Sequence, residues 1–316
     1  MTTIHSSTSV KTWQVTLSTL LFTLCSSTML ILNKLTVTFF PAPGLILVAQ
    51  LLSSSAITLL AAQFDIVSLK GLEFKTAKPY IFVSLIFLAT LYANMNVLRY
   101  ANVETFIVFR SCTPILISIL DFIFLGRQLP ALRSSLSLFG LVLGAVRYVH
   151  VDSHFEVRAY SWVACWFLTF SFDQIYIKSV VSGVELSPWA RSLCTNAFAV
   201  IPALILGILN AETKIDISSV DTRSATSFIV LSCINGLLMS VSSFHLRALV
   251  SATCFTVIGT ACKIISVFIN YILWDKHASL DGLSALAFCI FCALWYRQAP
   301  LRDRHSPTSQ HAKNVI

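Results

Sequence analysis

Charge is what this sequence most lacks. Only 11% of its 316 residues are Asp, Glu, Lys or Arg, and 56% are apolar; soluble domains carry about 25% charged residues. A surface facing water needs charge for solubility. A chain with this composition and a mean hydropathy of +0.79 must turn most of its surface to lipid, which excludes a soluble domain.

Other absences narrow the function. No glycine-rich Walker A loop is present, so ATP does not drive the protein directly. Neither a Gly-x-Ser-x-Gly elbow nor a His-Glu-x-x-His helix occurs, so no catalytic constellation is visible and no enzyme or cofactor is expected. All nine cysteines fall inside apolar runs and none in a loop. This gives no disulfide framework, and each reads as a small hydrophobe. His150, Asp152 and His154 sit close together in a short connection without a further ligand nearby, so no metal site is expected. The net charge of +8 is spread singly between apolar runs and forms no groove-sized patch for nucleic acid. The first apolar run, 15–32, lacks a small-residue cleavage site and reads as a retained helix.

What the sequence has instead is apolar runs. A helix needs about 20 such residues to cross a bilayer, and ten runs qualify: 13–33, 43–62, 79–98, 104–125, 132–149, 159–177, 189–209, 225–244, 252–274 and 282–296. The expected fold is an all-α polytopic membrane protein of ten transmembrane helices. Residues 1–12 form an N-terminal segment, 13–149 a first group of five helices, 150–297 a second, and 298–316 a polar, disordered tail. With ten spans, one side collects Lys11, Lys70, Lys75, Lys78, Arg127, Arg133, Lys178, Arg191, Arg247, Arg297, Arg302, Arg304 and Lys313, which is thirteen. The other collects Lys34, Arg99, Arg147, Arg158, Lys214, Arg223 and Lys276, which is seven. The positive-inside rule therefore places both termini in the cytosol.

The two halves echo each other. A shift of 148 residues lays Leu98-Arg99 on Leu246-Arg247 and Leu125 on Leu273, and Lys34 followed by Pro43 matches Lys178 followed by Pro188. Because five spans is an odd number, such a repeat is inverted across the membrane, an arrangement typical of secondary transporters with a site near the midplane.

Two of the 22 basic residues, Arg110 and Lys263, remain inside the membrane after the connections are assigned. A cation at a helix centre costs about 2.5–3.5 kcal/mol on insertion scales and is a functional candidate by default. Counting rise per residue puts Arg110 about 9 Å below the non-cytosolic face and Lys263 about 14 Å below it. Two converging cations in a dry cavity suit a diphosphate; pairing with Asp121 or Asp173 is the plainer alternative. Asn196 lies about 10 Å from the cytosolic face. Its amide could read a nucleobase edge or hydrogen-bond between helices. Tyr92, Asn94 and Asn96 could line the same cavity or serve packing. Gly140 and Gly144 form a small-residue packing face, and Lys34 and Lys178, at span ends, are expected to snorkel.

The stretch from Tyr100 to Gly126, with Phe109-Arg110-Ser111-Cys112-Thr113 and Asp121-Phe122-Ile123-Phe124-Leu125-Gly126, resembles the GDP-sugar branch of the nucleotide-sugar transporters. These belong to the drug/metabolite transporter superfamily, in one clan with the triose-phosphate translocators. The likeness extends from Trp13 to about Leu301, and Pro41 to Gly44, Val151-Asp152-Ser153, Trp274-Asp275-Lys276-His277 and Gln298-Ala299-Pro300 resemble the plant-type members. The resemblance implies a ten-helix Golgi antiporter that exchanges a cytosolic GDP-hexose (mannose, fucose or galactose) for lumenal GMP, with a homodimer left open. The family's Phe-Tyr-Asn-Asn motif, associated with guanine, is held here by Leu193-Cys194-Thr195-Asn196, so only the last residue matches. Its Gly-Ala-Leu-Asn-Lys motif, associated with sugar and phosphates, reads Gly259-Thr260-Ala261-Cys262-Lys263. The family's basic residue in the fourth span falls on Arg110, and an aromatic preceding the second motif is kept as Phe255. The implied binding set is thus Arg110, Lys263, Asn196, Thr195, Gly259, Thr260 and Phe255. The altered motifs leave two other readings open, a carrier of a UDP-sugar or sugar phosphate, and a non-transporting structural or regulatory member. A protease-protection assay on sealed microsomes should leave a C-terminal tag accessible from the cytosolic side; a shielded tag would reverse the topology.

Overall fold

The computed structural model describes residues 2–124, 128–152, 156–210, 222–250, 252–273 and 279–297. Among them the secondary structure is helical without strands. The helices are α1 (Thr2–Phe39), α2 (Pro43–Gln63), α3 (Phe74–Ala77), α4 (Pro79–Tyr100), α5 (Val103–Ser111), α6 (Thr113–Phe124), α7 (Leu132–Val151), α8 (Val157–Gly183), α9 (Pro188–Leu209), α10 (Thr222–Leu249), α11 (Ala252–Leu273) and α12 (Leu280–Trp295). Seven segments among the described residues are long and apolar enough to cross a membrane, and Leu280–Trp295 is a shorter apolar helix. Leu24, Leu52, Phe139, Ile201 and Phe268 are among many large apolar side chains on the outside. In water such a surface would aggregate, whereas lipid accepts it.

Starts and stops follow local chemistry. Pro43, Pro79 and Pro188 open α2, α4 and α9, where the missing N–H costs nothing. Ser187 and Ser279 cap α9 and α12 by accepting from the backbone N–H of Ala190 and Gly282. Two helices outrun the expected spans: α1 begins at Thr2 rather than at residue 13, and α10 continues to Leu249. The fourth expected span is divided at Cys112 into α5 and α6. The cause is Pro114, which has no N–H for the carbonyl of Arg110 four residues earlier. The Thr113 hydroxyl donates to that carbonyl instead, at 2.7 Å, so the backbone stays satisfied inside the membrane.

The packing is duplicated. Helix α4 lies against α8 much as α10 lies against α1, and α4 meets α9 as α10 meets α2. The pairs α2–α9 and α7–α12 each join counterparts of the two halves. Lys34 on α1 donates its ammonium to the carbonyls of Leu98 (2.5 Å) and Ala101 (3.0 Å), at the end of α4. Lys178 on α8 does the same to Arg247 (3.0 Å) and Val250 (2.8 Å), at the end of α10. Each lysine therefore caps a helix C-terminus, where unpaired carbonyls and the helix dipole favour a cation. This replaces the snorkelling expected for both.

Helices α7 and α12 pack outside the central group. Ser137 donates to the carbonyl of Cys292 at 2.5 Å. A β-carbon on Gly140 or Gly144 would lie 2.7 Å from the Cys292 sulfur or 2.5 Å from the Cys289 sulfur, so this face carries packing. Replacing Gly144 with Leu should therefore destabilise the detergent-solubilised protein by about 1–3 kcal/mol. Gly183→Ala, where nothing lies within 4 Å, should leave the melting temperature unchanged. Equal effects of the two would show that the α7–α12 contact does not limit stability.

Candidate functional site

The remaining long helices surround one cavity of about 180 Å³. Helices α1, α2, α4, α5, α8, α9, α10 and α11 all contribute to its wall. Ile177 and Phe244 line it and also belong to an apolar cluster with Tyr80, Val83, Val181 and Leu186. That cluster borders the cavity where α8 ends and α9 begins.

Three cations reach this cavity. Arg110 on α5 is 8% exposed, with its guanidinium carbon 4.8 Å from the Phe170 ring centre, a cation–π contact. Its Nε has no partner among the described residues. The guanidinium fits against α11 because residue 259 is glycine: a β-carbon there would lie 2.8 Å from an Arg110 nitrogen. One turn further along α11, Lys263 donates to the backbone carbonyl and hydroxyl of Ser26, at 2.8 and 2.9 Å. An ammonium has three protons, so one remains for a ligand. Neither Arg110 nor Lys263 makes an ion pair with Asp121 or Asp173 among the described residues.

Arg247 is the third cation, and its position corrects the sequence reading, which put it in a cytosolic connection. It lies in the last turn of α10, 8% exposed, and lines the cavity. Its Nε donates to the Ser243 hydroxyl at 3.2 Å, and its guanidinium carbon stands 4.0 Å from the Phe255 ring centre. Removing it from the basic count still leaves twelve against seven. The signal in the sequence was a polar stripe, Gly236, Ser240, Ser243 and Arg247, at helical spacing on one face.

The other expected residues divide. Asn196 lines the cavity, but its amide nitrogen donates to the Ser54 hydroxyl at 2.7 Å, with the hydroxyls of Ser192 and Ser240 at 3.3 and 3.4 Å. It thus ties α9 to α2 and α10. Thr195 is fully buried, its hydroxyl without a partner, and is not part of the cavity wall. Phe255 lies under Arg247 and 4.7 Å from the ring centre of Phe22. Thr260 belongs to α11, but its side chain is outside the described residues. Asn94 joins the wall, whereas Asn96 turns back to the carbonyl of Tyr92 at 2.9 Å. Of the three residues weighed for a metal, Asp152 accepts from the Tyr160 hydroxyl at 2.7 Å, and His154 lies outside the described residues.

Several lining groups were not expected. Gln50 on α2 donates to Asn33 on α1 at 3.1 Å and to Ser232 on α10 at 3.0 Å. On α8, Trp166, Phe170, Asp173, Gln174 and Ile177 all face the cavity. The Trp166 and Phe170 rings stack with centres 4.9 Å apart.

Comparison with known proteins agrees with this architecture. No family model matches the chain. GDP-fucose transporter 1 of Arabidopsis thaliana is 36% identical over 300 residues, covering 92% of this chain and 88% of that protein. GDP-mannose transporter GONST3 of the same plant is 33% identical over 299 residues, covering 92% and 80%. The nucleotide sugar transporter SLC35D2 of Homo sapiens is 23% identical and covers 95% and 90%. A solved crystal structure superposes with a TM-score of 0.62 at 15% identity, covering 89% of this chain and 95% of that one; at that identity it supports the fold alone. These relatives are transporters rather than enzymes, and the chain belongs to the nucleotide-sugar transporter family, on its plant-type GDP-sugar branch.

Proposed function

We propose that this protein is a Golgi antiporter that carries a GDP-hexose into the lumen and returns GMP. In this reading the chain crosses the membrane ten times as two inverted five-helix repeats, with both termini in the cytosol. The duplicated packing of α4–α8 with α10–α1 and the paired lysine caps support the repeat.

The observation that carries the reading is the convergence of Arg110, Arg247 and Lys263 on one cavity. All three meet at α11: the Arg110 guanidinium abuts Gly259, Arg247 lies over Phe255, and Lys263 is one turn beyond Gly259. Like charges held together in a dry site need an anion, and a diphosphate supplies two negative charges there. Arginine can grip phosphate oxygens in pairs, whereas lysine contributes a point charge. The same arrangement accounts for exchange. An empty cavity holding three cations is costly to occlude, because burying unpaired charge is costly. A cavity holding nucleotide passes through occlusion with its charges matched. Transport in each direction therefore requires a bound nucleotide, and the inverted halves rock around it.

Proteoliposomes test this directly. Vesicles preloaded with GMP should take up GDP-hexose, and empty vesicles should not. Arg110→Ala and Lys263→Ala should each weaken nucleotide binding by about 2–4 kcal/mol, with the double variant losing less than the sum, since both residues act on one ligand. Arg110→Lys should keep charge and lose the paired geometry. Well-folded Lys263→Ala protein that transports at the original rate would remove the shared phosphate site.

Asn196 supplies a separate check. Its amide nitrogen is already bonded to Ser54, so Asn196→Ala should weaken GMP and UMP by the same factor, through loosening of α9. A loss confined to GMP would restore Asn196 as the reader of the base.

A further inference from the structure

If Asn196 is spent on packing, the base must be recognised elsewhere, and α8 offers the chemistry. Asp173 and Gln174 are 3% and 0% exposed, and both line the cavity. The Gln174 amide nitrogen donates weakly to one Asp173 oxygen, at 3.4 Å. The other Asp173 oxygen and the Gln174 carbonyl oxygen are buried without partners among the described residues. Unpaired buried acceptors are costly, and a carboxylate can only accept. This pair is therefore suited to a ligand edge made of N–H donors.

The position of the pair also fits. Asp173 and Gln174 line the same cavity as Arg110, Arg247 and Lys263, so one ligand can meet the cations with its anionic part and the carboxylate with its donor-bearing part. Arg247 does not saturate Asp173, because no ion pair within 4.0 Å joins them and one carboxylate oxygen is free. Phe170 and Trp166 line the cavity one and two turns away on the same face of α8, stacked on each other.

The geometry points to Asp173, with Gln174, as the determinant that selects guanine over other bases. This rests on the GDP-sugar reading above. Guanine presents N1–H and the exocyclic N2 amino group side by side, three hydrogens in all. The carboxylate takes N1–H and one N2 hydrogen, and the Gln174 carbonyl takes the other. Uracil offers a single imino hydrogen and leaves buried acceptors unmet, and adenine sets its N1 lone pair, an acceptor, against the carboxylate beside its amino group. Sites that hydrogen-bond a ligand group discriminate strongly against analogues lacking it.

The test is a change of base preference, read by thermal shift and equilibrium binding on the full-length protein in detergent. The ligands are GMP, IMP, XMP, UMP and inorganic pyrophosphate. Wild-type protein should bind GMP more tightly than IMP, which lacks the amino group. In Asp173→Asn the new amide donates where the carboxylate accepted, which suits the O2 of xanthine. GMP should weaken about 10- to 100-fold, its advantage over IMP should vanish, and XMP should bind more tightly than to wild type. Pyrophosphate binding should not weaken, because it offers no N–H donor to Asp173, and this also reports that the variant is folded. Gln174→Leu should lower GMP relative to IMP more mildly. If Asp173→Asn leaves GMP unchanged, or weakens GMP, IMP, XMP and pyrophosphate by one common factor, Asp173 merely balances charge and the assignment falls. If wild-type protein itself prefers UMP to GMP, the GDP-sugar reading fails at its own step, independently of the variant.

Discussion

Three buried cations set against one carboxylate are the constraint on which the rest of this structure depends. In a bilayer interior, unpaired charge is costly, so each charge is held by specific supports. Arg110 rests over Phe170 and enters a gap that exists because residue 259 is glycine. Lys263 is tied to Ser26 of α1, and Arg247 to Ser243 and the face of Phe255. Three of these supports, Arg110 with Phe170, Arg110 with Gly259 and Lys263 with Ser26, cross between helices far apart in sequence. The cavity and its charges therefore come from the assembled bundle rather than from any one segment.

A second constraint is that the backbone must satisfy itself where no water is available. It explains features with no direct chemical role. Pro114 breaks the helix beside Arg110, and Thr113 repairs the carbonyl that the proline leaves open. Lys34 and Lys178 close the ends of α4 and α10. Lys34 serves Leu98 and Ala101, and Lys178 serves Arg247 and Val250. Arg99 lies over the neighbouring Tyr100 ring, while Arg247 turns into the cavity.

The departures from the family's asparagine motifs then look less like loss than relocation. Asn196 is retained but joins α9 to α2 through Ser54. The acceptors without partners among the described residues are on α8, in the same cavity as the cations.

The sequence by itself determined the class of fold and the two most conspicuous cations. Scarce charge and long apolar runs leave only a helical membrane protein, and Arg110 and Lys263 stand out because a charge within such a run is expensive enough to be noticed. It also located the helix starts at Pro43 and Pro79, where local backbone chemistry suffices. It did not reveal Arg247, because a cation within a helix's last turn reads the same as one in a connection. Nor did it reveal that Asn196 is bonded to Ser54, 142 residues away, that Thr195 points away from the cavity wall, or that Lys34 and Lys178 are caps. Only the tertiary structure decided these, because each depends on which helix lies opposite. Hydropathy records the cost of leaving water but carries no information about the partner that offsets it.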